Sequence, residues 1–218
     1  MYPLSLFQKR GNPLKILFLG AHSDDIEIGC GGTILRLLDE NSEIHANWVV
    51  FAASGVRRTE AEKSAQILLK KASKVNIYLK EFKESFFPYI GTEIKEYFET
   101  LKHSVNPDII FTHNRNDLHQ DHRFISELTW NTFRNHLILE YEIVKYDGDL
   151  GTPNFFVHLT REICSRKIDH VVNHFKSQHT HHWFSEETFR SMLRIRGVES
   201  NAPEYYAEAF YARKIQLA

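Results

Sequence analysis

The sequence predicts an α/β fold, a doubly wound and mostly parallel sheet with helices on both faces. Three observations predict it. Short unbroken apolar runs, Ile16 to Leu19 and Ile109 to Phe111, have the character of strands buried on both sides. Between such runs lie stretches with apolar residues three and four apart, so strands and helices alternate along the chain. Both runs also lead into dense polar clusters, His22 to Glu27 and His113 to His122. Folds of this kind bind ligands at the carboxyl ends of their strands, where the strand order reverses.

The elements follow in order. Residues 14–20 read as the first, central strand. Gly29, Gly31 and Gly32 read as a tight turn, and Thr33 to Glu40 as a helix with Ile34, Leu35, Leu37 and Leu38 as its stripe. Residues 44–53 form the second strand. Arg57 to Lys71 is a helix carrying Ala61, Ala65, Leu68 and Leu69 on its apolar side, and Val75 to Phe82 is the third strand. Glu93 to His103 is helical, with Ile94, Phe98 and Leu101 spaced by four and three. Pro107-Asp108 opens a fourth strand, 108–112, and His119 to Phe133 is the helix after it. Residues 137–146 and 155–160 are two further strands. Arg161 to Gln178 is helical, with Ile163, Ile168, Val171, Val172 and Phe175 facing inward. Ser185 caps a helix entered through Glu186, and Ala207 to Ile215 is a last strand or an extended tail. No repeat, low-complexity tract or linker interrupts the chain, so residues 1–218 read as one domain.

The chain has 218 residues, 42% hydrophobic and 25% charged, an ordinary balance for a globular protein with a sizeable core. A net charge of -1 gives no bulk drive toward nucleic acid or a membrane surface. No apolar run approaches membrane-spanning length. Met1 to Arg10 carries no leader signature. Cys30 and Cys164 make neither a metal-binding pair nor a disulfide framework, which suits a cytoplasmic setting. Nothing in the sequence separates a monomer from a homo-oligomer.

His22 and Asp25 lie three apart after the first strand, and His122 follows the fourth. Two imidazoles and a carboxylate are the ligand set of a catalytic zinc site, whose fourth position is left for water. Against this, Asp25 as a helix cap and His22 as a satisfied core histidine would need no metal. Asp24 is left beside the ligands as a general base, or as a carboxylate that orients a ligand histidine. His119, three residues before His122, points to the same side of the helix and suits an oxyanion or leaving-group role. Asp121 holds His119 in its tautomer, or simply favours the helix N-terminus. Arg57 and Arg58 start a helix at the same end of the sheet and are candidates for substrate phosphate or hydroxyls, or for plain solvation. The glycines fit no phosphate-binding loop. Cys30 reads as a buried filler, Lys70, Lys71 and Lys74 as a solvated face, and His179, His181 and His182 as a surface cluster.

Together these segments resemble the PIG-L (LmbE-like) N-deacetylases. The family's Ala-His-Pro-Asp-Asp motif stands here as Ala21-His22-Ser23-Asp24-Asp25, extended by Gly29-Cys30-Gly31-Gly32. Its His-x-Asp-His motif is His119-Gln120-Asp121-His122. Ser177-Gln178 and Ala207-Glu208-Ala209-Phe210 resemble later family segments. The one departure in the core motifs is Ser23 for proline, which affects loop stiffness and no ligand. The resemblance implies a Rossmann-like fold and a zinc-dependent amidohydrolase with one Zn2+ per chain. It implies His22, Asp25 and His122 as ligands, Asp24 as base and His119 as oxyanion stabiliser. The expected reaction is removal of acetyl from an N-acetylglucosamine-type sugar or its conjugate. Hydrolysis of another amide, such as N-formyl, or of an ester, and metal binding without turnover, are the competing readings.

Overall fold

A computed structural model describes residues 12–41 and 43–216; Met1 to Arg10, read above as carrying no leader, lies outside them. In chain order the elements are β1 (Leu14–His22), α1 (Asp25–Glu40), β2 (Ile44–Ala52), α2 (Gly55–Leu68) and β3 (Lys74–Leu79). Then come α3 (Gly91–Ser104), β4 (Ile109–His113), α4 (Gln120–Thr132), β5 (Leu137–Tyr141) and β6 (Phe155–Leu159). The last are α5 (Arg161–His174), α6 (Glu186–Glu199) and β7 (Tyr206–Ala212). All seven strands join one sheet in the order β3-β2-β1-β4-β5-β7-β6. The first five are parallel, and β7 runs antiparallel to both β5 and β6. The chain winds from β1 out to β3 and then returns to β4, so the reversal falls between β1 and β4, as expected for a doubly wound sheet.

Side chains alternate across each strand, and this divides the core. Ile16 and Phe18 join Trp48, Phe111 and Leu139 beneath α1, α2, α5 and α6. Leu17 and Leu19 join Val49, Phe51, Ile110 and Ile138 beneath α3 and α4. Both faces of β1 are therefore buried, which is why its sequence shows no alternation. No helix among the described residues is long and apolar enough to cross a membrane.

The structure corrects the glycine turn. Gly29, Gly31 and Gly32 lie inside α1, which starts at Asp25 rather than Thr33 and is interrupted only at Cys30, where φ is -142°. Gly29 permits a close approach, since a Cβ there would overlap the Tyr141 ring. At the kink, Glu208 of β7 accepts from the Gly32 and Thr33 amides at 2.8 and 2.6 Å. Lys167 of α5 donates to Glu208 and to the Ile28 carbonyl at 2.5 and 2.6 Å. A buried ion pair thus ties three distant elements, and a bent helix replaces the turn. Elsewhere the differences are at ends. The strand expected over 137–146 stops at Tyr141, and α5 ends at His174 before a single 3-10 turn, Lys176–Gln178. Of the segment expected over Ala207 to Ile215, the strand takes Tyr206–Ala212 and stops short of Ile215. Ser185 does cap α6, accepting from the Thr188 amide at 3.2 Å. Cys30 is fully buried, while His179, His181, His182, Lys70, Lys71 and Lys74 are exposed.

Candidate active site

β1 and β4 lie side by side, with Phe18 paired to Phe111, and both end at the same edge. His22 closes β1, Asp24 and Asp25 start α1, and His119, Asp121 and His122 open α4. Asp25 accepts the His22 amide at 2.6 Å, which folds the acidic turn back beneath the strand end. His22 Nδ1 then stands 3.1 Å from His122 Nε2. The Asp25 carboxylate is 3.5 Å from each of these two nitrogens.

The outer nitrogens decide what this cluster is for. His22 Nε2 meets Asp121 Oδ2 at 3.2 Å, and His122 Nδ1 meets Asp117 Oδ2 at 2.9 Å. A carboxylate only accepts, so each outer nitrogen carries the proton. The inner nitrogens of neutral rings therefore turn bare lone pairs toward each other beside a third anionic donor. That arrangement repels itself unless a cation sits between them. Imidazoles oriented by carboxylates on their far nitrogens are the usual surroundings of a bound metal. The donor set therefore fits a metal ion.

The electrostatics agree. Burial disfavours charge on His22, but Asp25 and the Asp121 hydrogen bond outweigh it and raise its pKa to about 10. Burial and the neighbouring His113 lower that of His122 to about 3. Without a metal, a proton takes the cation's place: His22 is an imidazolium whose Nδ1 donates to His122 Nε2 at 3.1 Å, and a bound metal would displace that proton. Asp25 resists burial because His122, His113 and His22 surround it, and it stays well below the usual carboxylate range. Burial and the charge of Asp25 push Asp24 up to about 6, with Arg57 pulling the other way.

His119 is the N-cap of α4, and its Nδ1 accepts from the Asp121 amide at 3.2 Å. An accepting Nδ1 leaves the proton on Nε2. The Asp121 main chain, not its carboxylate, therefore sets this tautomer. The carboxylate instead meets His22 and the Ser85 and Phe87 amides, at 3.2, 2.6 and 3.2 Å. His119 stacks on His122 with ring centroids 4.5 Å apart.

Arg57 reaches the cluster, with Nη2 3.5 Å from Asp24 Oδ1 and Nη1 2.6 Å from Glu84. Arg58 does not. Its guanidinium turns outward to the Leu79 carbonyl and Glu81, at 3.0 and 3.1 Å, because the next residue on a helix faces about 100° away. Ser23, in the place of the family proline, is buried with its hydroxyl unpartnered.

Several residues at the site carry no assignment in the sequence reading. Asp117 holds His122 and is itself held by Lys145 at 3.0 Å. His113, at the end of β4, lies 3.2 Å from Asp25, but its Nε2 already accepts the Ala21 amide at 2.9 Å. The available signal for His113 is its position, which matches that of His22 at the end of a neighbouring strand. Among the described residues three groups have the spacing to gather a metal: His22/His119/His122, Asp25/His113/His122 and Asp117/Asp147/Asp149. Lys145 already neutralises the third, with contacts of 3.0, 3.7 and 2.6 Å. The first two share His122 and form one cluster.

A family model described as PIG-L, GlcNAc-PI de-N-acetylase, matches residues 17–133, which hold both motifs. The chain belongs to the PIG-L family. It is accordingly a hydrolase of the deacetylase kind. Solved structures share its fold. The conserved protein TT1542 from Thermus thermophilus is 21% identical, with 94% of this chain and 97% of that one covered and a TM-score of 0.75. N,N'-diacetylchitobiose deacetylase from Pyrococcus horikoshii is 20% identical, covering 90% and 82%, with a TM-score of 0.65. The zinc-inhibited form of teicoplanin deacetylase Orf2 is 14% identical, covering 90% and 97%, with a TM-score of 0.71. Among curated proteins no sequence matches.

Proposed function

We propose that this PIG-L protein is a zinc-dependent hydrolase that removes the N-acetyl group from an N-acetylated amino sugar or its conjugate. One observation carries the reading: the inner nitrogens His22 Nδ1 and His122 Nε2 converge beside the Asp25 carboxylate, while Asp24 stands next to them committed to no histidine. His22, Asp25 and His122 would hold the metal. His113 is the weaker ligand, because its Nε2 lone pair is spent on the Ala21 amide. When bound, zinc supplies Lewis-acid polarisation of a carbonyl and a water of lowered pKa.

The chain's own residues do the rest. Asp24 takes a proton from the attacking water as the water oxygen bonds to the acetyl carbon. The Nε2–H of His119 donates to the carbonyl oxygen as it becomes an oxyanion. The carbon–nitrogen bond then breaks, and the proton on Asp24 passes to the departing amine. Acetate and a free amino sugar result. Asp121 and Asp117 keep the two ligand rings turned inward. Arg57 steadies Asp24. The two free buried cysteines suit a cytoplasmic setting.

Purified protein should carry about one zinc per chain, release acetate from N-acetylglucosamine conjugates and release little formate from their N-formyl analogues. Asp24→Asn should keep the metal and lose turnover by about 10²–10⁴. Full metal retention in both His22→Ala and His122→Ala would overturn the ligand assignment. Formate release alone would overturn the acyl group.

A further inference from the structure

A prominent concavity lies not over the histidines but along the outer side of α4. It encloses about 800 Å³ and is lined by Arg115, Arg123, Arg134, Arg213 and Lys214, with Trp130 among them. Among the described residues Glu127 is the one carboxylate in its wall. Buried Glu140 accepts from Arg213 at 2.6 and 2.8 Å and from Trp130 Nε1 at 2.6 Å. Arg115, Arg123, Arg134 and Lys214 have no ion-pair partner among the described residues. They are nonetheless held in place. Arg123 donates to the carbonyls of Asp117 and Leu118 at 3.0 and 2.9 Å, and Arg134 to that of Asn131 at 3.2 Å. Arg115 and Lys214 lie over the Trp130 ring, 4.9 and 5.6 Å from its centre. In a chain of net charge -1 this is a local choice of sign. A cleft lined by one sign of charge focuses its field on an anion, and guanidinium groups match carboxylates in geometry.

One end of the groove lies beside the candidate active site, next in sequence to His119 and Asp121. Gln120 lines it and donates to the Ser85 carbonyl, and the Ser85 amide in turn holds Asp121. From Gln120 to Thr132 α4 runs about 18 Å at 1.5 Å per residue, and Arg134 lies just beyond its end. An occupant that meets all these cations is therefore extended and multiply anionic, with one end beside the site. Half-buried Trp130 serves as the platform that holds the Arg115 and Lys214 cations in the groove wall. We infer that the substrate is an acidic oligosaccharide: its N-acetylated sugar enters the site, and carboxylate-bearing neighbours lie along the α4 groove. This rests on the deacetylase reading above and narrows its substrate class.

The test uses the zinc-loaded full chain and two soluble probes of equal length. One alternates N-acetylglucosamine with a uronic acid, and the other is a neutral N-acetylglucosamine oligomer. Binding is followed by calorimetry and turnover by acetate release. The acidic probe should bind about tenfold or more tightly, with the advantage shrinking as salt screens it. Arg134→Glu with Lys214→Glu, both exposed and remote from the histidines, should raise KM for the acidic probe about tenfold. kcat, and both constants for the neutral probe, should stay put. Equal affinity for the two probes in the native protein, or equal losses in the double variant, would overturn the inference. So would tight binding of a single-stranded oligonucleotide with none of the acidic saccharide. Salt-sensitive binding of the acidic probe without acetate from either would uphold the groove and sink the deacetylase reading. Acetate from both at equal KM would do the reverse.

Discussion

Asp117→Asn changes one oxygen to nitrogen and should weaken the metal site without touching a ligand. Asp117 accepts three hydrogen bonds, from His122 Nδ1 at 2.9 Å, Lys145 Nζ at 3.0 Å and the His119 amide at 2.8 Å. Its Oδ2 serves His122, and its Oδ1 serves the other two. An asparagine has one accepting oxygen. If that oxygen faces His122, the new amide protons point at an ammonium and a backbone N–H. If it faces Lys145, the amide donates to His122 Nδ1, which must then accept. The ring proton moves to Nε2, the nitrogen aimed at His22 and Asp25, and the ligand lone pair is lost. Either choice costs a charge-assisted hydrogen bond. Loss of such an outer partner weakens metal binding by about 10–100-fold, equivalent to about 1.4–2.8 kcal/mol. Competition against a chelator of known zinc affinity measures this directly, and activity should return with excess zinc. Lys145→Met leaves the Asp117–His122 bond in place and should cost less. Zinc affinity within twofold of the native protein in Asp117→Asn would refute the claim that this carboxylate sets the His122 tautomer.

Two further changes test how the site is supported. Burial pushes Glu27 from 4.5 to about 8, with Ser64 its hydrogen-bond partner and its Oε2 unpartnered. Below pH 4.5 both folded and unfolded chains hold that proton; between 4.5 and about 8 only the folded chain does, so stability falls as pH rises, by up to about 5 kcal/mol at 1.36 kcal/mol per pH unit. Glu27→Gln in the metal-free protein should flatten the urea-midpoint profile over this range, and an unchanged slope would refute the assignment. Glu208→Gln strands Lys167 as a buried unpaired charge and should cost about 3–5 kcal/mol of unfolding free energy. Adding Lys167→Met should recover part of it, and a cost below about 0.5 kcal/mol for Glu208→Gln, the size of an ordinary surface change, would mean that water reaches the pair.

What the sequence made legible follows one physical line. His22, Asp24, Asp25, His119, Asp121 and His122 sit in two short segments, each directly after an apolar strand. Parallel strands deliver their ends to one edge, so the two segments could be brought together without any knowledge of packing. Asp117 lies in the second segment too, yet its role depends on Lys145, which is joined to it only by the course of the chain after β5. Glu208 is farther still: from β7 it finds the amides of Gly32 and Thr33 in α1, 176 and 175 residues away along the chain. The arginines mark a different limit. Arg57 and Arg58 are equivalent in composition, and helix rotation alone sends one to Asp24 and the other to Glu81.

The glycines mark a third limit, and it bears on the chemistry. A glycine signals either a backbone turn or the absence of a side chain, and a string of letters does not separate the two. At Gly29 the second reason holds, because the Tyr141 ring takes the space of a Cβ. Tyr141 in turn donates to the Leu19 carbonyl at 2.6 Å and flanks His113. The start of α1 is thereby pressed against β5, beneath the strand end that carries His22. The acidic pair Asp24-Asp25 therefore enters the site as the first turn of a helix seated on the sheet, not as a loop free to move. A proline in the place of Ser23 is then one stiffening device among several, which is how this chain can keep the geometry without it.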